Sequence, residues 1–203
     1  MHLNLAEKLH IMKITTKLFL LAGLVFFSAC KNDKKTDTSG EETTTQVEET
    51  VDDLKLAYAI LEPRSGSNAI GKAEFTEENG VVTFYSEVSN LSPGMHAVHL
   101  HENSDCSADD ASSAGGHWNP TFAKHGKWGD PEGYHRGDIG NFEADENGSM
   151  IIKFETDQWC IGCDDESKNI LGKSIIIHVD PDDYVTQPTG NAGGRLICGG
   201  IIE

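Results

Sequence analysis

Seven of the nine histidines lie between residues 96 and 178, where their spacing is typical of metal ligands. His99 and His101 are two residues apart in a segment that predicts a strand, so their imidazoles project from one face and can grip one ion. A glycine-rich loop follows, and it carries four residues able to wrap a second ion: His117, His125, His135 and Asp138. An isolated histidine is usually a surface or core residue. This concentration of seven, with an aspartate among them, favours a metal centre.

Period-two alternation of apolar and polar residues predicts the elements that position these side chains. Asn79-Gly80 joins two of the segments and is a strong hairpin signal. No stretch of the domain has a convincing helical pattern. We therefore predict an all-β fold, an eight-stranded antiparallel Greek-key barrel or sandwich with two long functional loops, 102–138 and 180–194. The predicted strands are 54–61, 69–75, 81–88, 95–101, 139–144, 150–155, 174–179 and 195–202.

The composition suits this loop-rich β interpretation and excludes some partners. The chain has 203 residues, 21 of them glycine, and only 7% are aromatic. Its formal net charge is −17, which argues against nucleic acid or anionic lipid surfaces as partners.

The N-terminal residues 1–29 read as a secretory signal rather than as part of the fold. Lys13 and Lys17 precede an apolar run at 18–27, and small residues follow it. The run is too short to cross a bilayer, which takes about 20 apolar residues. The same signal pattern is complete when the chain is counted from Met12, which is therefore an alternative translation start.

Cys30 directly follows Ser28-Ala29, an arrangement that resembles a bacterial lipobox. We expect Cys30 to become the lipidated first residue of the mature protein; the alternative is plain secretion with Cys30 unused. Residues 30–53 are almost devoid of apolar side chains and predict a disordered tether. The domain then spans 54–203, held in the periplasm or cell envelope, with membrane contact only through the lipid.

The ordered motifs of this domain resemble those of copper–zinc superoxide dismutases. Each motif alone is moderately specific, but their combination in order across 54–203 is highly specific. The matching segments are GMHAVHLHE at 94–102, GGHWNP at 115–120, KHG at 124–126, HRGDIGN at 135–141, IHV at 177–179 and GNAGGRLICGG at 190–200.

The resemblance implies a function and two cofactors, copper and zinc. The function is disproportionation of superoxide to dioxygen and hydrogen peroxide. Four nitrogen donors suit Cu(II), and three imidazoles with a carboxylate suit tetrahedral zinc. The implied copper ligands are His99, His101, His117 and His178; the implied zinc ligands are His117, His125, His135 and Asp138.

The resemblance also assigns roles to residues around the ligands. His117 bridges both metals and exchanges a proton during turnover. Arg195 holds the incoming anion, although without the motif it would be interpreted as a solvated charge at a strand end. His96 is a structural residue behind the ligands, and Asp182 links His99 to His125.

The resemblance pairs Cys106 with Cys198 in a disulfide, which an exported protein permits. Cys160 and Cys163 have no counterpart in the family. They are interpreted as a small surface disulfide beside an insertion, or alternatively as a thiol site for copper loading.

One departure from the family concerns how superoxide reaches the site. Residues 181–188 are acidic and apolar, where steering charges are usual in the family. We therefore expect Lys124 and Lys127 to guide the anion together with Arg195. Two alternatives remain open: a non-catalytic copper-binding or copper-delivery module of the same fold, and a structural sandwich whose histidines scavenge zinc. The sequence leaves the oligomeric state open, with a homodimer as one option.

Overall fold

The computed structural model describes residues 54–203, and nearly all of their regular structure is β-strand. The predictions made for residues 1–53, the signal segment, Cys30 and the tether, lie outside the described residues. One 3₁₀ turn lies at Ser112–Ala114. The strands are β1 (Lys55–Pro63), β2 (Ile70–Glu78), β3 (Val81–Ser89), β4 (Gly94–His101), β5 (Asp138–Ala144), β6 (Met150–Thr156), β7 (Ser174–His178) and β8 (Arg195–Gly200).

The eight strands form one antiparallel sheet with the order β5-β4-β7-β8-β1-β2-β3-β6. Its two edge strands, β5 and β6, are consecutive in the chain and lie close to each other, so the sheet nearly closes into a barrel. The predicted all-β, eight-stranded antiparallel fold is confirmed. No helix within 54–203 has the length and apolar character needed to cross a membrane.

The strands form where the sequence alternates, because one face of each strand packs into the barrel. On β1, Ala57, Ala59 and Leu61 are buried, while the residues between them face outward. The predicted Asn79-Gly80 turn joins β2 to β3, with φ values of 53° and 75°. Two consecutive positive φ angles are what a tight hairpin turn requires, and asparagine and glycine tolerate them best.

The barrel core gives the site a rigid support. Phe75 and Phe84 stack in it with ring centroids 4.8 Å apart, and Trp159 packs edge-on against Phe75. Burying an aromatic or large aliphatic side chain contributes about 1.5–3 kcal/mol. Mutually packed rings of this size therefore hold the strands in a fixed register.

Strand β4 is buried on both faces, which distinguishes it from the other long strands. Val98 and Leu100 pack into the core. His99 and His101 are also fully buried, beneath the long connections. The pairing of β4 with β5 shifts register between Val98 and His99. This irregularity lies between the first part of the strand, whose buried residues pack into the core, and the part that carries the candidate ligands.

A third long connection, 157–173, accompanies the two predicted ones. The sequence indicated only an insertion beside Cys160 and Cys163. It runs from β6 to β7 and buries Trp159, Ile161 and Ile170. Those apolar residues follow no strand-like alternation, which is why their pattern did not predict a packed segment.

Candidate metal centre

Two paired strands and the start of a third supply the barrel side of the site. His99 and His101 lie on β4, which pairs with β7. His178 ends β7 and stands opposite Arg195, the first residue of β8. Antiparallel pairing therefore brings together residues that are up to 96 positions apart in sequence.

The long loop reaches the same place through three backbone hydrogen bonds. The Trp118 amide donates to the Leu100 carbonyl (2.8 Å), the Leu100 amide to the Gly137 carbonyl (2.9 Å), and the Gly137 amide to the Trp118 carbonyl (2.9 Å). A side chain at Gly137 would collide with the Leu100 carbonyl. This close approach fixes His117 and Asp138, which flank the bonded residues, beside His99 and His101.

Two buried groups of potential metal ligands result, and His117 belongs to both. Within each group the donor atoms lie within 4.8 Å of one another. We call them the first group (His99, His101, His117, His178) and the second group (His117, His125, His135, Asp138).

Six buried ring nitrogens have no hydrogen-bond partner within residues 54–203, and all six belong to these groups. Buried polar atoms in proteins are almost always satisfied, so such a concentration needs a ligand. Lone pairs of imidazoles that converge on a point are the donor set of a transition-metal ion. The residues present therefore fit two metal ions. The six atoms are His99 Nδ1, His101 Nε2, His117 Nε2, His178 Nε2, His125 Nδ1 and His135 Nδ1.

The outer ring nitrogens of two first-group histidines contact backbone carbonyls. His101 Nδ1 lies 2.9 Å from the Gly115 carbonyl oxygen, and His178 Nδ1 lies 3.3 Å from that of Gly193. A carbonyl can only accept, so the outer nitrogen carries the proton. The inner nitrogen is then a free lone pair with a fixed direction.

Asp182 links the two groups. Its Oδ2 lies 2.9 Å from His99 Nε2, and its Oδ1 lies 2.9 Å from His125 Nε2. The family resemblance predicted this contact. Nothing in the sequence indicated the contact with Asn141, whose side chain accepts from the Asp182 amide (2.7 Å) and donates to the Asp182 carbonyl (2.9 Å).

His117 is the histidine with both nitrogens inside the site. Its Nδ1 lies 2.9 Å from Asp138 Oδ1, on the second-group side, and its Nε2 faces the first group. Burial lowers the pKa of His117 to about 4, although the hydrogen bond to Asp138 opposes the shift. The ring is therefore neutral at physiological pH and can donate a lone pair to a metal ion.

Burial and then neighbouring imidazoles lower the pKa of His101 and His178 well below the ordinary value. The second group behaves differently. Burial opposes protonation of His125, but Asp138 and Asp182 outweigh it and raise the pKa of His125 to about 9. Burial likewise opposes ionisation of Asp138, whose pKa its three histidine neighbours nevertheless hold far below normal. A metal ion entering the second group must therefore displace a proton.

The carboxylate of Asp138 is the centre of the second group. Its oxygens lie 3.0 Å from His125 Nδ1 and 3.3 Å from His135 Nδ1, in arrangements that are not hydrogen bonds. The backbone amides of His135 and Gly126 donate to its Oδ2 at 2.7 and 3.2 Å. The loop thus closes around this one side chain.

Arg195 lies half-buried at the edge of the first group. Its guanidinium donates to the carbonyls of Ala111 (2.7 Å) and Gly115 (2.8 Å). Gly115 also contacts His101, so one loop carbonyl orients both the arginine and a candidate ligand. The positive charge of Arg195 adds to the lowering of the pKa of His101 and His178, after burial and imidazole neighbours.

Cys106 and Cys198 form a disulfide with a Cα–Cα distance of 5.7 Å. It ties the long loop to β8, near the Arg195 contacts. Cys160 and Cys163 form a second disulfide, with 6.0 Å between their Cα atoms. The oxidised state matches the interpretation as a small disulfide beside an insertion, but the expected surface position is wrong for Cys160, which is buried.

His96 lies behind the ligands rather than among them. Its Nδ1 lies 2.7 Å from the His178 carbonyl, and its Nε2 lies 2.8 Å from the Ser92 carbonyl. At least one ring nitrogen of His96 donates to its carbonyl partner. The ring thereby supports the backbone of His178, a candidate ligand.

Gln187 is a further residue that supports the site and that the sequence did not predict. Its Oε1 accepts from the His125 amide (2.9 Å), and its Nε2 donates to the His125 carbonyl (2.8 Å). A glutamine in a loop follows no periodicity or motif, so no sequence pattern pointed to this contact. The two bonds clamp the backbone of a second-group residue.

Lys124 and Lys127 belong to neither group. Lys124 is exposed and lines a groove with His125, Asp130 and Glu132 on the side of the second group. Lys127 is exposed. Their expected role in guiding the substrate remains a prediction.

Comparisons with known proteins agree with this geometry. A family model described as copper/zinc superoxide dismutase (SODC) matches residues 69–201. Superoxide dismutase Cu-Zn 1 of Aquifex aeolicus (strain VF5) is 40% identical over 135 residues, 64% of this chain and 78% of that protein. Superoxide dismutase Cu-Zn 2 of the same organism is 38% identical over 154 residues, which cover 73% of this chain and 87% of that protein. The crystal structure of the clock protein EA4 has a TM-score of 0.64 at 34% identity, covering 73% of this chain and 94% of that one.

Proposed function

Because this chain belongs to the copper/zinc superoxide dismutase family, we propose that the first group holds copper and the second group holds zinc. The protein is an enzyme that disproportionates superoxide with copper and zinc as cofactors. Two superoxide ions and two protons yield one dioxygen and one hydrogen peroxide. The observation that carries the assignment is the pair of complete, buried donor groups that share His117.

The donor types support the assignment of copper to the first group and zinc to the second. The first group offers four imidazole nitrogens, a set that suits copper, and the second offers three imidazoles and one carboxylate, which suits zinc. Bound copper supplies one-electron redox chemistry, whereas zinc has none.

His117 Nε2 is the atom of this chain that can hold a proton at the site. It is buried, faces the first group and has no protein partner within 54–203. Its partner nitrogen is fixed on the second-group side by Asp138, so the ring cannot turn away. The proposed role is to keep a proton within the site between the two halves of the reaction.

Arg195 is proposed to hold the superoxide anion beside the first group. A guanidinium has five N–H donors, and the bonds to Ala111 and Gly115 leave others for an anion. Because both bonds are to backbone carbonyls, the positive charge is already positioned when the anion arrives.

The alternative functions are not favoured. A non-catalytic copper-delivery module does not need a complete second group, and a zinc-scavenging sandwich does not need a first group with an arginine beside it. This chain has both groups and Arg195.

The enzyme assignment is tested by following superoxide decay in stopped-flow with metal-free, zinc-loaded and copper-plus-zinc-loaded protein. We expect catalytic decay only in the third sample. Uncatalysed decay in the third sample, with both metals shown to be bound, would favour the copper-delivery alternative.

We also propose that the protein is exported and lipid-anchored through Cys30 in the periplasm or cell envelope. One observation supports an oxidising compartment: the four cysteines of 54–203 form two disulfides. The proposal of an anchor rests on the sequence, in which Cys30 directly follows Ser28-Ala29. Cys30→Ser should move the protein from the membrane fraction to the soluble envelope fraction. Unchanged membrane association of this variant would contradict the anchor.

A further inference from the structure

The segment 157–163, which we call the disulfide segment, contacts the chain on both sides of His135. Trp159 Nε1 donates to the Arg136 carbonyl (2.9 Å). The side-chain amide of Gln158 contacts the Tyr134 hydroxyl. Its Oε1 can accept from this hydroxyl (2.9 Å), and its Nε2 can donate to it (2.8 Å). Gln158 Oε1 also accepts from the Arg136 guanidinium. Two adjacent residues of this segment therefore hold both neighbours of a second-group histidine.

His135 depends on such support more than the other ligands do. Asp182 holds the outer ring nitrogen of His125. Within residues 54–203, no acceptor contacts the outer ring nitrogen of His135. The polar contacts of His135 are with Asp138, and its ring otherwise packs against those of His117 and His125. The direction of the His135 ring is therefore set by its backbone.

The disulfide segment is itself anchored to the barrel. Ile161 is fully buried, and its amide donates to Glu77 Oε2 on β2 (2.7 Å). The amide and carbonyl of Cys160 bond to the Lys168 carbonyl (2.9 Å) and the Ile170 amide (3.0 Å). The segment is thus a fixed platform rather than a free loop.

An aromatic cluster joins the same parts. Trp159 packs against Trp128 (5.8 Å between ring centroids) and Phe154 on β6 (5.2 Å). Trp128 lies between His125 and His135 in the long loop and also contacts Tyr134 (5.0 Å). Packing and hydrogen bonds therefore connect the disulfide segment to the second group by two routes.

We propose that Gln158 and Trp159 are positioning residues for His135, and that the Cys160–Cys163 disulfide holds them in place, so that zinc retention depends on a cross-link outside the ligand set. The disulfide closes a chain separation of only 3 residues, against 92 for Cys106–Cys198. A short loop constrains the unfolded chain little, so its effect is on local order. The inference rests on the assignment of zinc to the second group.

The test measures zinc release from the loaded protein to a chromophoric chelator. Gln158→Ala and Trp159→Phe should each weaken zinc retention by about 10- to 100-fold, the range for residues that orient metal ligands. Cys160→Ser with Cys163→Ser should weaken it by about tenfold. Gln158→Glu keeps an acceptor for Tyr134 and Arg136, so this variant should retain zinc nearly as well as the wild-type protein.

A spectroscopic signature separates positioning from general destabilisation. With cobalt in place of zinc, the visible absorption reports ligand geometry, and it should change in Gln158→Ala and Trp159→Phe but not in Gln158→Glu. Ile152→Val, in the barrel core on β6, is the matched control. It should lower the unfolding temperature yet leave zinc release and the cobalt spectrum unchanged.

Wild-type zinc release and cobalt spectra in Gln158→Ala and Trp159→Phe would overturn the proposal. Wild-type zinc release in the folded double serine variant would overturn it equally. If the double serine variant does not fold, the contact variants decide. A wild-type protein that binds no zinc at all would refute the zinc assignment instead, which keeps the two failures distinct.

Discussion

Each histidine of the centre has two ring nitrogens, and their partners define its role. His99, His101, His125 and His178 each place one nitrogen against a protein acceptor and turn the other inward. His117 instead turns one nitrogen toward each group. The shared position of His117 therefore follows from hydrogen bonding and does not depend on the resemblance alone.

Removal of shared and unshared ligands should have different effects. His117→Ala should reduce the content of both metals, because it takes a donor from each group. His178→Ala should chiefly reduce copper, since His178 belongs to the first group alone. Metal analysis of the purified variants after equal loading checks this. Loss of zinc with retention of copper in His178→Ala would show that the partition of ligands is wrong.

Gly190 is required for the Asp182 link. A side chain at Gly190, whose φ is 63°, would collide with Asp182 Oδ1 and approach His125 Nε2 to 2.6 Å. Gly190→Ala should therefore displace Asp182 and weaken metal binding by about 10- to 100-fold. Gly172→Ala is the matched control, because Gly172 has a φ of 78° and open space around it. Competition with a chelator measures both, and equal affinities in the two variants would contradict the role of Gly190.

At the scale of elements, the sequence predicts the strands well and the supports of the site poorly. The hairpin β2–β3 was predictable because alternation and Asn79-Gly80 agree. The spacing of His99 and His101, and the histidines and aspartate of the long loop, indicated metal ligands, whereas His178 and the division into two ligand sets came from the resemblance. Asn141, Gln158 and Gln187 were not predictable, since their contacts join segments that only the folded barrel brings together. The packed connection 157–173 was missed for the same reason.

The Cys106–Cys198 disulfide should stabilise the protein by restricting a long loop. Its removal, with serine at both positions, should lower the free energy of unfolding by about 2–5 kcal/mol. Hydrogen exchange should rise in the loop that carries the carbonyls of Ala111 and Gly115, while the β2–β3 hairpin stays protected. Denaturant unfolding and amide exchange measure the two effects. Peptide mapping of the native protein that paired Cys106 with Cys160 or Cys163 would contradict this account.

At the scale of the whole molecule, the net negative charge opposes the approach of the substrate. Residues 54–203 contain ten basic and 24 acidic side chains, a formal charge of −14, and the substrate is an anion. A local positive region must therefore draw superoxide in. Arg195 provides one positive charge at the first group, and bound metal ions add to it. Lys124 shares its groove with Asp130 and Glu132, so it can guide superoxide only if its charge is not fully offset there.

Steering should make the rate sensitive to salt. Guidance by charge raises association rates by about 10- to 10³-fold, and it fades as the Debye length falls to about 8 Å at 0.15 M salt. Activity should fall with ionic strength, and Arg195→Glu should slow turnover sharply without loss of metal. Lys124→Glu combined with Lys127→Glu should flatten the salt dependence. An unchanged rate and salt slope in that double variant would show that guidance comes from elsewhere.

The most direct test of the paired centre is anomalous X-ray diffraction from crystals of the copper- and zinc-loaded protein, recorded at both metal absorption edges. We expect one copper peak among His99, His101, His117 and His178, and one zinc peak beside Asp138, with His117 contacting both metals. Zinc at both positions after copper loading, a single peak, or exchanged metals would contradict the account.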